Sequence, residues 1–247
     1  MRKSWMAGLV LAGGMGLAAP AMAQDFSGGY GGIYAGGAWG DSDAVTSVAA
    51  GTYFAGSSVT QINADGIRNY SPNGWTGGAQ IGYNWQNGST VFGFEADVGA
   101  LDLSEGSSTT TNYSCCAGTS YTLTQAVDTD WMATLRARVG VANGAALFYA
   151  TGGLAVTELK YGVNFTDTFA AASLTGGDRS QTKYGWTAGV GAEWAMGPGR
   201  LKLEYLYADF GNVNSTSTVV SGGLNAPGVH TASLTANIGR IGYNWAF

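Results

Sequence analysis

The sequence predicts an all-β chain: an eight-stranded antiparallel up-and-down transmembrane β-barrel with four long outer loops and short turns on the opposite side. Three observations carry that expectation. Apolar residues recur with a period of two along most of the chain, and helical periodicity does not. The alternating segments are joined by connections that are short and long in turn. The chain opens on an export signal and holds no later apolar run of about 18 residues, so any membrane crossing falls to strands.

The first residues read MRKSWMAGLVLAGGMGLAAPAMAQDF. Arg2 and Lys3 form a positive start, an apolar and glycine stretch follows, and Ala21-Met22-Ala23 is a small-x-small cleavage site. Residues 1–23 are therefore expected to be a signal peptide, 24–29 a short periplasmic N-terminal segment and 30–247 the barrel. Charged residues make up 11% of the chain, against about 25% in ordinary soluble domains, which favours a membrane setting. Removing Arg2 and Lys3 leaves nine basic residues against 16 acidic ones, a net of −7, so no nucleic-acid partner is expected.

The strands follow in order. About Tyr30 to Trp39 forms the first. In WTGGAQIGYNWQ, Trp75, Ala79, Ile81, Tyr83 and Trp85 alternate with Thr76, Gln80 and Asn84. In VFGFEADVGAL, Phe92, Phe94, Ala96 and Val98 alternate with Glu95 and Asp97. In WMATLRARVGV, Trp131, Ala133, Leu135 and Val139 alternate with Thr134, Arg136 and Arg138. About Ala145 to Tyr161 forms the fifth. KYGWTAGVGAEW sets Tyr184, Trp186, Val190 and Trp194 against Glu193, and RLKLEYLYADF sets Leu201, Leu203, Tyr205 and Tyr207 against Lys202 and Glu204. The last runs from about Thr231 to Phe247, and its pattern loses phase before Gly239, which suggests a bulge. The short connections, residues 86–89, 142–144 and 196–199, carry Asn-Gly and Pro-Gly pairs suited to tight hairpins. The long ones are roughly 40–74, 102–128, 162–181 and 211–230.

The apolar set is assigned to lipid and the polar set to the lumen. The polar set is mostly small, and its charges nearly cancel: Glu95, Asp97, Glu193 and Glu204 against Arg136, Arg138, Lys202 and Arg240. A narrow lumen needs small residues and paired charges, since an unpaired buried charge is costly. An aromatic girdle is expected from Trp75, Tyr83, Trp85, Trp131, Trp186 and Trp194. Trp75 and Trp85 are ten residues apart on a tilted strand, roughly 25 Å, the height of a lipid-facing band.

The pentapeptide Ile-Gly-Tyr-Asn-Trp occurs at 81–85 and again at 241–245, each time where a strand descends to the turn side. The terminal IGYNWAF, with outward Ile241, Tyr243, Trp245 and Phe247, resembles the C-terminal signal read by the barrel-assembly machinery. Together with GWTGGAQIGYNWQ, LFYATGGLAV and LKLEYLYADFG, it resembles the small eight-stranded outer-membrane β-barrel family of Gram-negative bacteria, the so-called porin family that includes surface antigens. The resemblance implies the outer membrane as location, and the lipid bilayer, lipopolysaccharide and the assembly machinery as partners. It implies a structural and surface role. The alternatives are a low-conductance porin and an adhesin or heme-type receptor acting through the outer loops.

Adjacent Cys115 and Cys116 in the second long connection are read as a loop disulfide acting as a local staple, with a redox-sensitive loop or an intermolecular disulfide as the alternatives. His230, near the outer end of the last strand, invites a catalytic reading with Ser221 or Ser233, but nothing assembles a base, nucleophile and orienting acid. No catalytic residue, metal site or cofactor is expected.

Overall fold

The computed structural model describes residues 24–175 and 177–247; the expected signal peptide lies outside them. The described residues form ten strands and one helix: β1 (Gly28–Val48), α1 (Gly56–Asp65), β2 (Ile67–Tyr70), β3 (Asn73–Asn87), β4 (Thr90–Asn112), β5 (Ser120–Asn143), β6 (Ala146–Asp167), β7 (Ser173–Thr175), β8 (Arg179–Met196), β9 (Gly199–Ser221) and β10 (Leu224–Ala246). Eight of the strands close a ring in the order β1-β3-β4-β5-β6-β8-β9-β10, every pairing is antiparallel, and β10 returns to β1 from Tyr30↔Ala246 to Val48↔Gly228. The short β2 pairs with β1, and β7 bridges β6 and β9. Closure leaves the ring without an edge.

One end is built from two-residue turns. Gly88, Gly144 and Gly197 open them with φ between 59° and 62°, a conformation glycine adopts without strain. β1 starts at Gly28, two residues before the expected start of the barrel, because Gly28 and Gly29 pair with Asn84 and Tyr83; only residues 24–27 precede it, and at this turn end they tuck under the ring. Phe26 is fully buried, its N–H donates to the Gln86 side chain, and its carbonyl accepts from Asn84 and Arg200.

The opposite end differs from the long-loop expectation. Strands run far into the segments expected to be loops, and the last connection shrinks to Gly222-Gly223. The remaining connections between ring strands are residues 49–72 with α1 and β2, 113–119, and 168–178 with β7. Helix α1 was not expected. Its sequence, GSSVTQINAD, has weak periodicity and no side-chain N-cap. Tertiary contacts hold it: Ile62 is fully buried, Asn63 bonds the Val48 backbone in both directions, and Asp65 accepts from Thr111 and Tyr121. Such packing outweighs intrinsic propensity in a short helix.

The wall reverses polarity partway up. On β10, Ile241, Tyr243 and Trp245 face out and Arg240 and Asn244 face in. Above Gly239, Ala232, Leu234, Ala236 and Ile238 are buried inside, while Thr231, Ser233, Thr235 and Asn237 face out. On β6, outward Phe148 and Leu154 give way to outward Glu158 and Lys160, and inward Leu159, Val163 and Phe165 are buried. The loss of phase before Gly239 is therefore a correction to the expected bulge: β10 keeps strict alternation, and the apolar set changes face. A register shift does occur between Ser233 and Thr235, with the additional residue on β9 between Asp209 and Asn212. Outward Asp41, Asp102, Asp130, Glu158 and Asp209 lie around the ring just above the apolar band.

The interior is thus three stacked layers. At the turn end lie Phe26, Val91, Ala142, Leu147 and Tyr149. A charged layer follows. Above it a large apolar cluster, including Leu101, Leu103, Met132, Tyr161, Phe165, Phe210 and Leu234, runs up to Ile62 and Phe54 beneath the cap.

Candidate functional site

Strand register brings the lumen charges together. Glu95 pairs across from Arg136, Glu193 from Lys202, and Glu204 from Arg240, all on inward positions. Arg136 sits at the centre. It reaches Glu95 Oε1 at 2.6 Å, Asp97 Oδ2 at 2.8 Å and Glu204 Oε1 at 3.0 Å. Lys202 Nζ reaches Glu95 at 2.6 Å and Glu204 at 3.3 Å. Arg240 pairs with Glu204 at 2.5 Å and Asp97 at 3.2 Å. Arg138 pairs with Glu193 at 2.7 Å and Glu95 at 3.3 Å. All eight residues are buried.

Tyrosines and amides complete the layer. Tyr30 OH donates to Glu95 at 2.8 Å and accepts from Arg138 at 2.7 Å. Tyr34 OH donates to Asp97, and Tyr149 OH to Glu204 at 2.8 Å. The Arg138 guanidinium lies 3.9 Å from the Tyr149 ring centroid, and that of Arg240 4.2 Å from the Tyr34 ring. Glycines on facing strands make the room: a Cβ on Gly82 would stand 2.3 Å from Tyr30 OH, and one on Gly191 2.4 Å from Tyr149 OH. The Glu193 Oε2, Arg138 Nε and Asn84 Oδ1 atoms are buried without a hydrogen-bond partner. Sequence reasoning missed Arg200, which is buried, lies 4.0 Å from Glu193 and stacks on Phe26. Its signal was present, since Arg200 shares the inward alternation of Lys202 and Glu204. Tyr30 and Tyr34 also went unassigned, because glycines on both faces of β1 hide the alternation.

An apolar outer band, a polar and charged inner layer and a closed ring of eight strands define a membrane barrel. The model of the outer membrane protein beta-barrel domain family matches residues 9–240. The chain belongs to this family of outer-membrane β-barrels. It is 38% identical over 178 residues to the 31 kDa outer-membrane immunogenic protein of Brucella melitensis, spanning 70% of this chain and 67% of that one. It is 28% identical over 190 residues to the 25 kDa outer-membrane immunogenic protein of Brucella abortus, spanning 76% and 68%. Among solved structures, the outer membrane protein OprG from Pseudomonas aeruginosa aligns over 90% of this chain and 98% of its own, at 9% identity and a TM-score of 0.41. The protein resides in the outer membrane.

The other sequence-derived residues take these places in the barrel. Trp75, Trp131 and Trp186 lie near the upper edge of the apolar band, and Tyr83, Trp85 and Trp194 near the turn end, all facing out. Trp85 stacks on Phe92 at 5.5 Å. Ile241, Tyr243 and Trp245 are outward on β10, Tyr243 OH donates to the Met196 carbonyl, and the Phe247 N–H donates to Gly29 O while its ring is exposed. Cys115 and Cys116 are disulfide-bonded.

His230 is fully buried inside the upper layer rather than at a rim. Its Nε2 lies 2.6 Å from Ser217 Oγ and its Nδ1 3.0 Å from Thr46 Oγ1. Neither Ser221 nor Ser233 meets it: Ser221 donates to the Ala170 carbonyl, and Ser233 accepts from the Asp43 N–H. Burial pushes the imidazole down to about 4, so it is neutral at ordinary pH.

Proposed function

We propose that this barrel is a closed structural element of the envelope that presents its capped end at the cell surface. The observation that carries the reading is the filled lumen. A salt-bridged layer is overlaid by an apolar layer and by α1, and an eight-stranded interior is just wide enough for side chains to fill. The short turns then face the periplasm, and the immunogenic relatives are consistent with an exposed cap. The carboxylates above the apolar band stand at the level of lipopolysaccharide headgroups, and the outward Ile241, Tyr243, Trp245 and Phe247 are the segment the barrel-assembly machinery would read. The His230–Ser217 pair supports no enzymatic role, since it is sealed from solvent and its second contact is Thr46 rather than a carboxylate.

Planar-bilayer conductance of the refolded residues 24–247 tests this, with folding verified by the mobility difference between heated and unheated samples. A folded barrel without discrete steps is expected. Reproducible steps would instead support the low-conductance porin, with water entering beside the Glu193 Oε2, Arg138 Nε and Asn84 Oδ1 atoms that lack a hydrogen-bond partner.

A further inference from the structure

The cap holds a cleft of about 80 Å³ between the 49–72, 113–119 and 168–178 connections. Its walls include Tyr53, Phe54, Tyr113 and Phe169, the Cys115–Cys116 disulfide and the Asp167 carboxylate. Phe54 is fixed from behind, edge-on to Phe165 at 5.6 Å, and Tyr113 packs on Tyr121 at 5.0 Å. Phe169 is 58% exposed and forms the open side.

The state of Asp167 decides what such a cleft would hold. Oδ2 accepts from Tyr53 OH at 2.6 Å and Tyr113 OH at 2.9 Å, and Oδ1 accepts from the Ala170 and Ala172 N–H groups at 3.3 and 3.1 Å. Burial and the adjoining carboxylate push both phenols up, so they remain donors. A carboxylate has about four acceptor positions, and here all are used. Among the described residues no ion pair to Asp167 occurs. It therefore projects negative charge into the cleft without offering a free lone pair.

We propose that this cleft binds a quaternary ammonium group, such as the trimethylammonium of a choline moiety. A quaternary ammonium has no N–H to satisfy. Aromatic faces attract it through their quadrupoles, and the anion behind them supplies the balancing charge. Size agrees: the cleft is small and open on one side, suited to a compact group of a few heavy atoms. The inference is independent of whether the lumen conducts, because the cleft lies entirely in the cap.

Titration calorimetry of the detergent-folded protein with choline chloride, tetramethylammonium chloride and ammonium chloride tests it. Saturable binding of the first two, and none of ammonium, is expected. Asp167→Asn keeps shape and should weaken choline binding about tenfold, and Phe169→Ala, at an exposed position, should weaken it comparably. Each variant is first shown to be folded by its heat-dependent gel mobility. Calorimetry with a short-chain phosphatidylcholine below its micellar concentration then separates the sources: binding tighter than that of choline and weakened by Asp167→Asn points to a lipid headgroup, and binding of choline without binding of the short-chain lipid points to a free solute. Equal response to ammonium and choline, binding unchanged in both variants, or saturation by methyl glucoside without a choline response would each overturn the proposal.

Discussion

At the residue scale the charged layer is held by mutual necessity. Arg136 is shared by three carboxylates, so its loss leaves Glu95, Asp97 and Glu204 short of a cation in a site closed to water. Arg136→Leu should cost about 3–5 kcal/mol. Its neighbour Leu135 faces lipid, and Leu135→Val should cost about 1 kcal/mol or less. Urea unfolding in lipid vesicles compares them, and equal small effects would show that these charges are hydrated. The eight charged residues share the inward face that alternation marks, so their side of the wall was legible. Their pairing was not, because it depends on register between strands distant in sequence, such as β4, β9 and β10. Arg200 shows the same limit: only the fold of Phe26 under the barrel defines its surroundings.

At the element scale, β10 shows how one strand serves two environments. Its lower part is a membrane strand with aromatics outside, and its upper part is a soluble-barrel strand with Leu234 and Ile238 inside. The substitutions should report this. Leu234→Ala should cost about 2–5 kcal/mol through a cavity, and outward Ser233→Ala within about 0.5 kcal/mol. Urea midpoints at constant m-value check the pair. A larger effect at Ser233 would place the apolar face outside all the way up. Helix α1 illustrates the opposite case, an element that its own sequence hardly specifies. Val48, Thr111 and Tyr121 hold it through Asn63 and Asp65.

At the scale of the whole molecule, the two halves of the barrel answer to different solvents, and pH separates them. His230 lies in the upper half with no carboxylate among its partners. Its folded value of about 4 lies below the ordinary imidazole value near 6.5, so the unfolded chain takes the proton first. This group's contribution is whole above about pH 6.5 and is lost as the pH falls towards 4, on the order of 3 kcal/mol in all. Unfolding free energies from pH 7 to 4 should therefore fall less steeply in His230→Gln than in the parent; parallel curves would remove the histidine from the account. The all-β class, the number of ring strands, three of the tight turns and the two faces of the membrane-spanning half were legible in the order of residues alone. Those follow from local chemistry, since a period of two and an Asn-Gly pair mean the same thing wherever they stand. Where the faces exchange, how α1 caps the ring and which aromatic rings meet Asp167 emerged only from the folded barrel. Whether an inward position is wet or dry depends on its height in a closed wall, and that height is set by seven other strands.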